Sequence, residues 1–138
     1  MNQQAKRIAL VEMGGSHDEC LYAQIRYLKA EGHFVSLICN SSLKSNVDYF
    51  DGLDEIRFIE LRPGLKQWID LWIIRKILIR GKFDCIIFNT AQGNVLKNLL
   101  LLPKPKNAER FGVLHNLRKL QNSHSQKVIT RNLKAYFV

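Results

Sequence analysis

Three short polar segments hold the residues best suited to chemistry: "MGGSHDE" (13–19), "NTAQGN" (89–94) and "HNLRK" (115–119). Gly14 and Gly15 carry no side chain, so their backbone N–H groups can come close to a ligand; a plain tight turn is the other use of such a pair. Ser16 or Asp18 can cap the helix that follows, with Glu19 adding a favourable charge, and a helix N-terminus suits an anion. Asn89 and Asn116 offer amides, and His115 offers an imidazole that could equally be a cap or a solvated strand end. His17, His33 and His124 are assigned no role.

Other chemistries lack their residues. G-x-G-x-x-G is absent, and Asn40 stands where a dinucleotide fold would place an acid for the ribose. No G-K-[ST] follows the glycines, so no phosphate-binding loop of the NTPase type is present. Cys20, Cys39 and Cys85 lie far apart with no C-x-x-C, and no carboxylate cluster marks a metal site; the expectation is that the chain holds no metal. This cysteine usage fits a reducing cytoplasm.

Composition narrows the class further. With 46% hydrophobic and 24% charged residues over 138 residues, the chain reads as one globular domain. Its net charge of +9 favours anionic partners. Nine basic residues against one acid, Glu109, lie between Lys97 and Val138, so the last third carries most of that charge. The N-terminal segment has no signal-peptide apolar region, and no stretch reaches the roughly 20 apolar residues of a membrane span.

The elements that must position these residues alternate. "IALVE" (8–12) suits a strand buried on both faces. Leu21, Ile25 and Leu28 recur at helical spacing until Gly32, and "HFVSLIC" (33–39) is a second strand-like run. Further strands are expected at 56–61, 84–89, 111–115 and 134–138, with helices at about 66–80, 93–102 and 117–132. The expectation is an α/β fold with a doubly wound parallel sheet of about six strands, Rossmann-like. In such sheets ligands bind beyond the carboxyl ends of the strands, where the three polar segments should converge. Ending inside a strand at Val138 suggests an N-terminal fragment of a longer two-domain protein, or else a terminus that pairs with another chain.

The stretch "LKQWIDLWIIRKILIR" (65–80) is more apolar than one buried face requires. At 100° per residue, Trp68, Leu71, Trp72, Leu78 and Ile79 should pack on the sheet. Ile69, Ile73, Ile74 and Ile77 then fall among Lys66, Asp70, Lys76 and Arg80. A membrane contact through Ile69, Ile73, Ile77, Lys76 and Arg80 is one reading; burial by a loop or second domain is the other.

Beyond single motifs, "RIALVEMGGSHDECLYAQIRYLKAEGHFVSLI", "KFDCIIFNTAQGN" and "RFGVLHN" together resemble the N-terminal half of bacterial GT-B glycosyltransferases, of the family-4-like type. The resemblance covers Lys6 to Asn116. It implies two Rossmann-like domains with a cleft between them, the N-terminal one supplying the acceptor site. Gly14, Gly15 and Ser16 would approach the donor diphosphate or the acceptor, His115 would contact the transferred sugar, and Asn89 and Asn116 would line the site. The nucleotide-diphosphate-sugar donor would be held by a C-terminal domain absent from this chain, so the chain alone should be inactive and needs no cofactor of its own. Implied partners are that domain and a saccharide or lipid-linked acceptor of cell-surface polysaccharide synthesis. The implied location is the cytoplasm, peripheral at the inner face of the cell membrane. The alternative is a non-enzymatic nucleotide- or nucleic-acid-binding α/β module. The basic last third favours it, and the placing of Phe111, Tyr136 and Phe137 in strands opposes it.

Overall fold

The computed structural model describes residues 4–14, 18–50, 52–89, 94–103, 105–113, 124–133 and 135–137. Six strands form one parallel sheet: β1 (Arg7–Glu12), β2 (Phe34–Asn40), β3 (Glu55–Ile59), β4 (Cys85–Phe88), β5 (Glu109–Val113) and β6 (Ala135–Phe137). Their order across the sheet is β3-β2-β1-β4-β5-β6. The helices between them are α1 (Asp18–Ala30), α2 (Leu65–Arg80), α3 (Asn94–Leu101) and α4 (His124–Asn132). The expected doubly wound α/β architecture is therefore present. One departure is a 3₁₀ helix over Ser41–Phe50, where the sequence reads as a polar loop; Leu43 anchors it in the core.

Alternation along the strands sends side chains to two separate cores. Ile8, Leu10, Val35, Leu37 and Cys39 face α1, where Leu21, Ile25 and Leu28 close the layer as their spacing predicts. Ala9, Val11, Ile38, Ile86 and Phe88 face the other way, onto Leu71, Ile74 and Leu78 of α2, Leu96, Leu99 and Leu100 of α3, and Ile129 of α4. Five of the six β1 residues are buried, which is why that run lacks polar alternation before Glu12. Gly32 ends α1 at φ +83°, a conformation that other residues rarely adopt, while the His33 N–H returns to the Leu28 carbonyl at 3.1 Å. His33 itself is buried, its Nδ1 accepting from the Lys6 N–H at 3.2 Å, a bond that ties down the entry to β1.

The rotation of α2 corrects the expectation for it. Asp70, Leu71, Ile74 and Leu78 are the buried residues, so Ile74 belongs to the core. Trp68, Trp72 and Ile79, expected on the sheet, are exposed. Of the suggested membrane-contact residues, Ile69, Ile73, Lys76 and Arg80 are exposed, whereas Ile77 is half-buried against the core. The turn comes from Asp70. It is 3% exposed yet satisfied, because the Arg62 backbone N–H reaches Oδ2 at 2.9 Å and the Arg62 guanidinium reaches Oδ1 at 2.6 Å.

Burial also sorts the thiols. Cys39 is fully buried and its pKa is pushed up to about 12, by desolvation first and by the Glu12 charge second. Burial likewise raises Cys85 to about 11. A thiol with a pKa near 12 is about one part in ten thousand thiolate at pH 8, and thiolate is the reactive form. Native protein at pH 8 should therefore modify Cys20 first and Cys85 slowly. Cys39 should react only after denaturation, which timed iodoacetamide labelling with peptide mapping will read out.

Candidate functional site

The switch point of the sheet lies between β1 and β4, where the chain leaves β1 toward β2 on one side and leaves β4 toward β5 on the other. The helices that follow, α1 and α3, pack on opposite faces, the arrangement in which folds of this kind bind ligands beyond the carboxyl ends of the two strands. Val11 pairs with Phe88 in register, and the Asn89 N–H extends the pairing to the Val11 carbonyl at 2.9 Å. Glu12 and Asn89 thus close their strands side by side.

A chain of side-chain hydrogen bonds joins them. The Asn89 amide Nδ2 donates to Glu12 Oε2 at 2.5 Å, and Glu12 Oε1 accepts the Gly14 N–H at 2.8 Å. On the other side, Gln24 Nε2 of α1 donates to Asn89 Oδ1 at 2.7 Å. Glu12 and Asn89 are wholly buried. A buried carboxylate needs donors, and here one amide and one backbone N–H supply them. The first turn of α1, with the positive end of its dipole, lies on the same face of the sheet.

These contacts recast Gly14. A Cβ built on it would stand 3.0 Å from Glu12 Oε1, so the missing side chain makes room for the carboxylate. Its N–H, expected to meet a donor diphosphate, is already donated to that carboxylate. A phosphate placed there would have to displace a buried negative charge, and like charges at such range repel strongly. The Gly14 N–H is thus engaged within the chain itself. Asn89 is likewise engaged, at both ends of its amide and beneath the surface.

Gly14 and Asn89 are thus brought to one place, linked through Glu12. Gly15, Ser16, His115 and Asn116 lie outside the described residues, as does His17. Because β5 runs parallel to β4, Val113 ends at the same edge of the sheet as Phe88. Glu12 and Gln24 escaped the sequence reading. The available signal was a single carboxylate closing an apolar run two residues ahead of the glycine pair. Half-buried Asn40 completes the rim, its Nδ2 donating to the Met13 carbonyl at 3.3 Å and its Oδ1 accepting the Ser42 N–H. The Gln24 Oε1 is buried without a partner among the described residues, leaving one acceptor unused beside the floor.

Among the described residues no three His, Cys, Asp or Glu side chains are grouped to hold a metal ion. What the arrangement offers is a hydrogen-bonded polar floor at the carboxyl ends of β1 and β4.

No protein-family model matches the chain, and no curated protein does. Solved structures do. The glycosyl transferase family 9 from Veillonella parvula superimposes with a TM-score of 0.66 at 17% identity, over 100% of this chain and 37% of that one. Acinetobacter baumannii MurG gives 0.64 at 16% identity, over 95% of this chain and 40% of the other. The glycotransferase of kitacinnamycin gives 0.60 at 16% identity, over 81% and 31% respectively. The structure of MT0777 is also similar, with a TM-score of 0.65, and there the match spans 84% of the other chain. At these identities the likeness is one of fold: the chain has a glycosyltransferase-like α/β fold and spans less than half the length of the three glycosyltransferases.

Proposed function

We propose that this chain is the acceptor-side half of a GT-B glycosyltransferase, one that moves a sugar from a nucleotide-diphosphate-sugar to a saccharide or lipid-linked acceptor in cell-surface polysaccharide synthesis. Support comes from the fold it shares with portions of glycosyltransferases and from the polar floor at its switch point. The single observation that carries the assignment of side is the buried Glu12 carboxylate under Gly14. An anionic floor disfavours a diphosphate and tolerates hydroxyl groups, which can donate to any acceptor left at its rim. On this reading the donor diphosphate is held by a further domain, and the acceptor hydroxyl enters over β1 and β4. In the transfer, the bond from the anomeric carbon to the diphosphate breaks, a bond to the acceptor oxygen forms, and the hydroxyl proton passes to the departing nucleoside diphosphate. The chain contributes positioning, and the resemblance implies that His115 would contact the transferred sugar and Asn116 would line the site.

Titration of the ¹⁵N-labelled chain tests this. Methyl glycosides should shift the amide signals of Gly14, Gln24 and Asn40 at millimolar concentration, while uridine diphosphate leaves Gly14 unmoved. No sugar transfer should be detectable from the chain alone. Turnover by the isolated chain would contradict the division of labour. Strong salt-dependent binding of RNA or DNA without any saccharide response would favour the nucleic-acid module instead.

A further inference from the structure

At the amino end of β5 an arginine sits half-buried without a counter-charge among the described residues. Arg110 stands in register with Ile86, so its side chain leaves the sheet on the face that α2, α3 and α4 cover. There it borders an apolar seam lined by Ile86, Leu99, Leu100 and Pro105. Its Nε is buried and has no hydrogen-bond partner among the described residues. Burial pushes the guanidinium below the usual arginine value, with no acid beside it to offset the cost. Arg62 shows the ordinary arrangement, since hydrogen bonding to the Asp70 carboxylate raises its value. Leaving such a cation unpaired is unfavourable, and a bound anion removes the penalty.

The neighbouring chain cannot supply that anion. From Cys85 to Val138 the sequence contains one acid, Glu109, against nine basic residues. Glu109 is in register with Cys85, which packs toward α1, so strand alternation sends its carboxylate to the opposite face from Arg110. Beside Arg110 a cavity of about 470 Å³ opens between the start of β5 and the end of α4, within the range of small-molecule sites. Arg110 and Arg131 line it with Asn107 and Asn132, over the buried Ala108 and Leu133, and Glu109 stands at its border. Arg131 is exposed and forms no ion pair among the described residues. The Asn132 Nδ2 donates to the Val128 carbonyl at 2.8 Å, which covers a helix-end oxygen that would otherwise repel an anion.

We propose that Arg110 and Arg131 bind the phosphate group of a small anionic ligand in this cavity. A guanidinium presents paired N–H donors that match two phosphate oxygens, and charge-assisted bonds of this kind are the strong ones. Arg110 is the anchor, because its Nε–H has no other acceptor to meet, and Arg131 closes on the anion from the solvent side. Asn107 brings a further amide donor to the lining. The site lies at the amino end of β5, whereas Glu12 closes the carboxyl end of β1, and parallel strands put these at opposite ends of the sheet. It is therefore independent of the sugar-transfer reading. Free phosphate and the phosphate of a metabolite share the chemistry that these residues recognise.

In ¹⁵N-labelled protein the buried Arg110 Nε–H should give a slowly exchanging signal that inorganic phosphate moves, with a dissociation constant on the order of 1 mM. Phosphate should also raise the unfolding temperature above that in chloride of equal ionic strength. Arg110→Met keeps an apolar stem and removes the charge; it should unfold no lower than wild type without phosphate and gain nothing specific from adding it. Arg131→Gln should weaken binding about ten-fold while leaving the Arg110 signal in place. Adenosine monophosphate separates the two sources: binding tighter than inorganic phosphate assigns the cavity to a phosphorylated metabolite, and equal binding assigns it to the free ion. An Arg110 signal unmoved by either compound overturns the proposal. So does an equal rise in unfolding temperature for wild type and Arg110→Met, which would be the general stabilising effect of phosphate as a salt. Arg110→Lys, which keeps the charge and loses the fork, gives the same comparison if the methionine variant does not fold, and phosphate binding as tight as wild type's would then overturn the proposal.

Discussion

Glu12→Ala is expected to lower the free energy of unfolding by about 2–4 kcal/mol, a large part of what a domain of this size has. The side chain is wholly buried, so its loss strands the Asn89 amide and the Gly14 N–H together and leaves a cavity at the junction of β1, β4 and α1. Glu12→Gln should cost much less. Both carboxylate oxygens accept, so the new amide nitrogen would face a donor unless Asn89 turns over. Asn89 can turn over, because Gln24 has an unused Oε1 that can accept from its Nδ2 once Gln24 reverses as well. The chain of bonds then runs in the opposite sense, and the remaining cost is the Gln24 Nε2, which moves to the buried position where Oε1 has no partner among the described residues. Urea denaturation of the three proteins checks this. Equal midpoints for wild type and the alanine variant would mean that the floor does not rest on Glu12.

Asp70→Ala should cost about 2 kcal/mol through lost charge-assisted hydrogen bonds, and Asp70→Asn somewhat less, since the amide oxygen can still take the Arg62 N–H. The pH dependence separates this from ordinary packing loss. The hydrogen bond from the Arg62 guanidinium, more than any other contact, holds the Asp70 carboxyl below its usual value, and the Arg62 backbone N–H adds to it. A carboxyl whose folded pKa is depressed binds protons less readily folded than unfolded. Its stabilisation is thus complete above the ordinary aspartate value near 3.8 and fades as pH falls through the lowered one. The gap between wild type and Asp70→Asn should accordingly be constant from pH 7 to about pH 5 and shrink below about pH 4. A gap that persists unchanged to pH 2 would mean that the Arg62 contact does not set it. Because this contact orients α2, the alanine variant should also alter the environment of Trp68 and Trp72, seen as a change in their emission.

Much of the fold was readable from local pattern because each element declares itself within a few residues. The uninterrupted apolar run before Glu12, the Leu21–Ile25–Leu28 spacing and the stop at Gly32 are sufficient for a strand, a helix and its end. α2 was readable as a helix but not in its rotation. Apolar side chains occur all round it, so periodicity could not choose a buried arc, and Trp68 and Trp72 were drawn to the wrong side. What chooses is Asp70, which can enter the interior only because Arg62, eight residues earlier, comes with it. Likewise Gly14 and Asn89 stood out in the sequence as polar or side-chain-free positions, but Glu12, which joins them, was counted only as strand.

By itself, then, the sequence determined the order of strands and helices and the two-sided burial of β1, since hydrophobic period and glycine act over short range. Only the tertiary structure decided that Gly14 makes room for a carboxylate, that Asn89 is floor and that the tryptophans of α2 face outward. Those outcomes depend on hydrogen bonds between residues up to 77 positions apart. Whether a buried polar group is tolerable is settled by partners that no local window contains.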